Sequence, residues 1–111
     1  MKISLICTGG LSTDWIVEKI ETYAQEHGQV VDVQTFGAAD YDPGASEGDA
    51  VLLGPQIGYY QEEVQEKLGM EVGVISSADY ATANIGDILM MAKKLAKKRS
   101  GEPSETAKKE E

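Results

Sequence analysis

The chain has 111 residues, 19 acidic against 10 basic, with a net charge of −9 and one cysteine. That length suits one domain with a modest core; the charge repels nucleic acid, and a lone cysteine makes neither an internal disulfide nor a multi-thiolate metal site, so no metal or cofactor is called for. No stretch approaches the roughly 20 apolar residues of a membrane span, and the apolar run at 3–7 is too short for a signal-peptide core, so a soluble cytoplasmic protein without direct membrane insertion is expected.

Residues 3–7, Ile-Ser-Leu-Ile-Cys, read as a strand. The loop Thr8-Gly9-Gly10-Leu11 follows, and Ser12-Thr13 supplies good N-cap residues for a helix. Cys7 therefore lies at the C-terminal end of a strand and just before a helix N-terminus. Unpaired N–H groups and a partial positive charge there favour a thiolate. Gly9 and Gly10 let the backbone turn its N–H groups around an anion, and Ser12 and Thr13 add hydroxyls. The expected object is a nucleophilic cysteine facing an oxyanion nest of phosphate size. The plainer alternative is a buried apolar strand end.

Ile16, Val17, Ile20, Tyr23 and Ala24 recur at helical spacing, which predicts a helix over 13–27 with Gly28 as the residue that ends it. His27, the only histidine, offers a general base or a last-turn cation that complements the helix dipole. Residues 30–36 read as a second strand, short and near the sheet edge. Residues 37–48 are polar and rich in breakers, and read as a loop in which Tyr41 is either a surface anchor or without a role. Residues 50–53, Ala-Val-Leu-Leu, form a continuous apolar strand of the kind covered on both faces.

Gly54-Pro55-Gln56 then turns, placing Gln56 beyond the third strand as Cys7 lies beyond the first. A second helix carries Ile57, Tyr60, Val64 and Leu68 on one face and is closed by Gly69. Residues 71–75 give a fourth strand, 76–83 a loop on the same side, and Asn84 caps a third helix with Ile85, Ile88, Leu89, Ala92 and Leu95 inward. Lys93, Lys94, Lys97, Lys98 and Arg99 load its C-terminus. From Ser100 the chain is polar and expected to be disordered, giving a domain over 1–99 and a tail over 100–111. The implied fold is α/β: a four-stranded parallel sheet of order 2-1-3-4, flanked by helices on both faces as a three-layer sandwich, with Cys7 at the switch point.

The opening Cys7-Thr8-Gly9-Gly10-Leu11-Ser12-Thr13 and the block Val51-Leu52-Leu53-Gly54-Pro55-Gln56-Ile57-Gly58-Tyr59 resemble the IIB component of the lactose/cellobiose (diacetylchitobiose) class of the bacterial sugar phosphotransferase system. Val74-Ile75 followed by Tyr80 adds to the resemblance, which covers about residues 2–98. It implies a phosphoryl relay: a IIA phosphohistidine protein donates to Cys7, and Cys7 passes the group to a sugar, a β-linked disaccharide by resemblance, as the membrane IIC transporter imports it. It makes Thr8, Gly9, Gly10, Leu11, Ser12 and Thr13 the phosphate-binding loop and gives Pro55, Gln56 and Tyr80 supporting roles. A monomer is expected. The chain departs from the family pattern at Leu11, where Met is common, and at Asp14, where a small or apolar residue is common. Asp14 suits the helix dipole and is expected to face solvent.

Three other chemistries share parts of this layout. A low-molecular-weight-type tyrosine phosphatase uses a Cys-x5-Arg loop, but Thr13 stands six after Cys7 and the single Arg is Arg99. A thiol redox protein needs a resolving cysteine that the chain lacks. A IIB-like regulator that senses phosphorylation has the same site and differs only in its partners.

Overall fold

The computed structural model describes residues 1–7, 11–42 and 44–99. Four strands, β1 (Lys2–Cys7), β2 (Asp32–Gly37), β3 (Ala50–Leu53) and β4 (Gly73–Val74), form one parallel sheet of order β2-β1-β3-β4. Register runs Ile3 opposite Val33 on one side of β1 and Ile3 opposite Ala50 on the other. The expected sheet and strand order are thus present, and β2 is an edge strand.

Among the described residues four α-helices surround it: α1 (Leu11–Glu26), α2 (Gln61–Leu68), α3 (Ser77–Ala81) and α4 (Ile85–Arg99). Alternation along the central strands sorts the core onto two faces. Ile3, Leu5, Ala50 and Leu52 pack under α1 and α4 through Ile16, Ile20, Ile88, Leu89 and Ala92. Ile6, Val51 and Leu53 pack on the other face against Ile57, Val64 and Ala45. The sheet is therefore covered on both faces, as the unbroken apolar run of β3 requires.

Helix ends follow the glycines. Gly28, with φ +65°, lies just past α1, and Gly69, with φ +67°, caps α2 in the left-handed region. Several segments differ from expectation. The 37–48 segment contains a 3₁₀ turn, Gly44–Glu47, that folds back over the sheet, and Tyr41 is buried rather than a surface anchor. The second helix divides: Pro55–Tyr60 is a 3₁₀ segment, broken in φ/ψ at Ile57, before α2 begins. Its inward residues remain on one face because both pieces pack on the same sheet surface. The fourth strand shortens to Gly73–Val74. The backbone of Val72 instead pairs with side chains of α2: Gln61 Nε2 donates to Val72 O at 2.7 Å, and Val72 N donates to Gln65 Oε1 at 3.0 Å. Residues 77–81, read as loop, are helical because the Ser76 hydroxyl accepts from Asp79 N at 3.1 Å. Asn84 precedes α4, and its amide donates to the carboxylates of Asp79 and Asp87. The tail over 100–111 lies outside the described residues.

Candidate active site

Cys7 ends β1, between β2 and β3, with Gly37 beside it in register on the β2 side. The chain leaves β1 through α1 toward β2, while β3 lies on the opposite flank. This is the switch point of the sheet, where open parallel sheets place their ligands. The thiol is nearly enclosed, at 4 % exposure.

Thr13, in the first turn of α1 and also buried, sets its Oγ1 3.0 Å from Cys7 Sγ. A hydroxyl so placed donates to sulfur when the sulfur is a thiolate. Thr13 occupies the position where a Cys-x5-Arg phosphatase loop carries its guanidinium. A hydroxyl there contacts the sulfur but brings no charge to a phosphate. Residues 8–10 of the expected phosphate-binding loop lie outside the described residues; α1 begins at Leu11, so Leu11, Ser12 and Thr13 form its first turn.

The wall on the β3 side is Gly54. Its N–H donates to Ile6 O at 3.0 Å, extending the β1–β3 ladder to the residue before Cys7. A Cβ at Gly54 would lie 3.5 Å from Cys7 Cβ and 3.1 Å from Gln56 Oε1. Gln56 therefore folds back toward the same strand end and is exposed beyond it. Pro55 starts the 3₁₀ segment, where its missing N–H costs no hydrogen bond.

Tyr80 lies in a helix, where residues 76–83 read as a loop. It is buried in α3 within the α1/α4 core, and α3 lies against Pro55–Tyr60. Its ring packs at 6.5 Å, tilted by 54°, against Trp15 on the first turns of α1. Tyr80 thus supports the helix that carries Thr13. Asp14 is exposed, as expected. His27 stacks on Tyr23 at 3.9 Å with Nδ1 2.8 Å from Tyr23 O, at the far end of α1 from Cys7. That arrangement is the helix-end role, not a base for the cysteine. The sequence alone gives Trp15 no role. Its signal was its place, two residues after the Thr13 that reaches Cys7.

Tyr59 and Tyr60 pack with centroids 4.5 Å apart. The neighbouring Tyr59 hydroxyl, chiefly, and Glu63 to a lesser degree hold the Tyr60 phenol above its ordinary value. Among the described residues no group of His, Cys, Asp and Glu is arranged to hold a metal ion, and no helix is long and apolar enough to cross a membrane.

Residues 2–91 match the family model described as PTS system, Lactose/Cellobiose specific IIB subunit. An oligo-beta-mannoside-specific EIIB component of Bacillus subtilis is 33% identical over 86 residues, 75% of this chain and 84% of that protein. A galactose-specific EIIB component of Lactococcus lactis subsp. cremoris is 32% identical over 101 residues, 84% of this chain and 94% of that protein. Among solved structures, the cellobiose-specific phosphotransferase IIB component of Borrelia burgdorferi superposes with a TM-score of 0.72 at 27% identity, covering 88% of this chain and 93% of that one. A parallel sheet with a cysteine at its switch point, and a family match over most of the chain, define the class. The chain belongs to the lactose/cellobiose-specific IIB family of the sugar phosphotransferase system.

Proposed function

We propose that the protein is a phosphoryl carrier that accepts a phosphoryl group on Cys7 from a IIA phosphohistidine and passes it to a sugar during uptake by a membrane IIC transporter. The observation that carries this reading is the 3.0 Å contact between Cys7 Sγ and Thr13 Oγ1 at the switch point. In the accepting step, Sγ attacks phosphorus and the S–P bond forms as the N–P bond breaks. The bonding pair returns to the imidazole nitrogen, which takes the proton the thiol gives up. The Thr13 hydroxyl steadies the sulfur as the thiolate develops. Residues Thr8 to Ser12, through backbone N–H groups and hydroxyls, hold the transferring oxygens. Gln56 borders the incoming partner, and Pro55 and Tyr80 fix the walls behind it.

Residues 1–99 make up the carrier domain and 100–111 a polar tail. The working state is a cytoplasmic monomer. The sugar is a β-linked disaccharide; its choice lies outside this chain, and the relatives bear different sugars in their names.

The test is intact-mass spectrometry after incubation with a IIA phosphohistidine protein of the same class. One added phosphoryl group, absent in Cys7→Ser, supports the relay. Hydrolysis of an aryl phosphate without an adduct would make the protein a phosphatase and overturn it.

A further inference from the structure

A phosphoryl group on Cys7 adds a charge near −2 at the C-terminal end of the sheet, and that end is itself acidic. Asp14 is exposed on the first turn of α1. Asp40 is exposed in the turn after β2, its carboxylate against Gly37, the residue beside Cys7 in register. Asp79 lies on α3, whose Tyr80 touches Trp15. Among the described residues, Lys and Arg are placed elsewhere. Lys2 opens β1 at the opposite end, Lys19 is two turns along α1, and Lys67 is in the last turn of α2. Lys93, Lys94, Lys97, Lys98 and Arg99 fill the far half of α4, where Lys98 bonds Glu71 ahead of β4. Residues 8–10 carry no cation in sequence.

Phosphoryl transfer is served elsewhere by a cation on the equatorial oxygens, supplied in place or by a partner. Among the described residues none is brought to the site. The chain does bring a fixed aromatic surface: Trp15 is 40 % exposed, and the buried Tyr80 holds its ring from behind. Exposed indoles on rigid supports are the side chains that most often anchor a partner and that best receive a cation.

We propose that the partner exchanging the phosphoryl group delivers an Arg or Lys side chain to this end of the molecule, with Asp14 as its counter-ion and Trp15 as the surface on which it lands. This rests on the relay reading and names what the donor must carry. Charge complementarity selects the occupant: an anionic donor face would meet Asp14, Asp40 and the phosphoryl group together. The cation neutralises the three oxygens as phosphorus passes from imidazole nitrogen to Sγ, and leaves with the partner. The carrier is thereby left holding phosphate without the clamp that would speed its loss to water.

The sign of one substitution decides the matter. Transfer rates from the phosphohistidine-charged IIA protein are measured against donor concentration for the full chain, Asp14→Asn, Trp15→Leu and, as a far-end control, Glu26→Gln. Asp14→Asn and Trp15→Leu are each expected to raise the half-saturating donor concentration about tenfold, with Glu26→Gln within about twofold of the parent. Transfer to the parent slows as salt rises from about 0.05 M to about 0.5 M, and Asp14→Asn flattens that slope. A faster or unchanged Asp14→Asn would mean that Asp14 only repels the phosphoryl group, and would overturn the proposal. So would loss of transfer on neutralising Lys108 and Lys109 together (K108Q/K109Q), because the cation would then come from this chain.

Trp15 is the only tryptophan, so its emission reports docking apart from chemistry. In Cys7→Ser, uncharged IIA is expected to shift that emission, and to shift it less in Asp14→Asn. A parent that takes no phosphoryl group but shows this docking would sink the relay and leave the surface standing. An emission that never moves would sink the surface.

Discussion

Cys7 and Thr13 meet across six residues, sulfur to hydroxyl at 3.0 Å, both enclosed at the junction of β1 and α1. The contact ties the reactive sulfur to the helix that follows it, so the orientation of α1 and the state of the thiol are coupled. Its removal gives the first expectation. Thr13→Val keeps the shape and takes away the donor. Hydrogen bonds to charged groups contribute about 1.5–3 kcal/mol, so phosphoryl acceptance should slow by about ten- to a hundredfold. Thr13→Ser restores the hydroxyl and should recover most of the rate. Stopped transfer assays on the two variants, with circular dichroism to confirm the fold, check this.

Gly54 and Gln56 offer a second, more local handle. Gly54 has φ −65° and ψ 154°, a conformation open to any residue. Gly54→Ala should therefore fold with a melting temperature close to that of the parent. Its methyl would press on Gln56 Oε1, the mobile end of an exposed side chain, and would reach ordinary contact with Cys7 Cβ. Gln56 then swings away. Transfer should weaken in Gly54→Ala and in Gln56→Ala to a similar degree, a few-fold each. Combining the two should add little, because both remove the same side chain from the strand end. A double variant whose loss multiplies would show that Gly54 acts on Cys7 directly.

Ser4 and Gly48 set a third expectation, on stability alone. Ser4 is wholly buried in the central strand, and its Oγ has no hydrogen-bond partner among the described residues. A Cβ added at Gly48 would collide with that oxygen and lie 3.1 Å from Ser4 N. The glycine is needed for the close approach of the segment before β3 to β1. Ser4→Ala removes an unpaired buried hydroxyl and should be neutral or stabilising by up to about 1 kcal/mol in urea melts. Gly48→Ala should cost about 1–3 kcal/mol as an overpacked contact. Ser4→Ala placed under Gly48→Ala should recover part of that loss, since one of the two colliding groups is gone.

What the sequence disclosed followed from how local each signal was. The apolar run 50–53, the helical spacing from Ile16 to Ala24 and the glycines at 28 and 69 each needed only a few neighbours to be read. Together with right-handed crossovers they led to the strand order, and the structure agrees. The burial of Tyr41 depends on where Gly44–Glu47 folds back, a contact across the sheet that the segment itself does not show. The helix at 77–81 has a local signal, Ser76 three residues before Asp79, that is short beside the turn-forming residues around it. Cys7 stood out through its glycines and hydroxyls. That Thr13, and not another hydroxyl, touches the sulfur depends on the first turn of α1. Trp15 gained meaning only once Tyr80 was seen behind it.

The short β4 carries the last expectation. Val72 is buried just before this edge strand, and its backbone is satisfied by α2 side chains instead of by another strand. The two bonds differ in direction: Gln65 accepts from the N–H, whereas Gln61 donates to the carbonyl. A carboxylate can accept but cannot donate. Gln65→Glu should therefore keep its bond and change stability little near neutral pH. Gln61→Glu loses its bond and sets a negative charge against a carbonyl oxygen, and should cost about 1–3 kcal/mol. Gln65→Ala should fall in the same range, because a buried N–H is left without a partner. Urea melts of the three variants rank them, and hydrogen exchange at the Val72 amide reports the Gln65 bond directly. Faster exchange in Gln65→Ala but not in Gln65→Glu is the expected pattern. Equal exchange in both would show that water, not α2, completes the edge of the sheet.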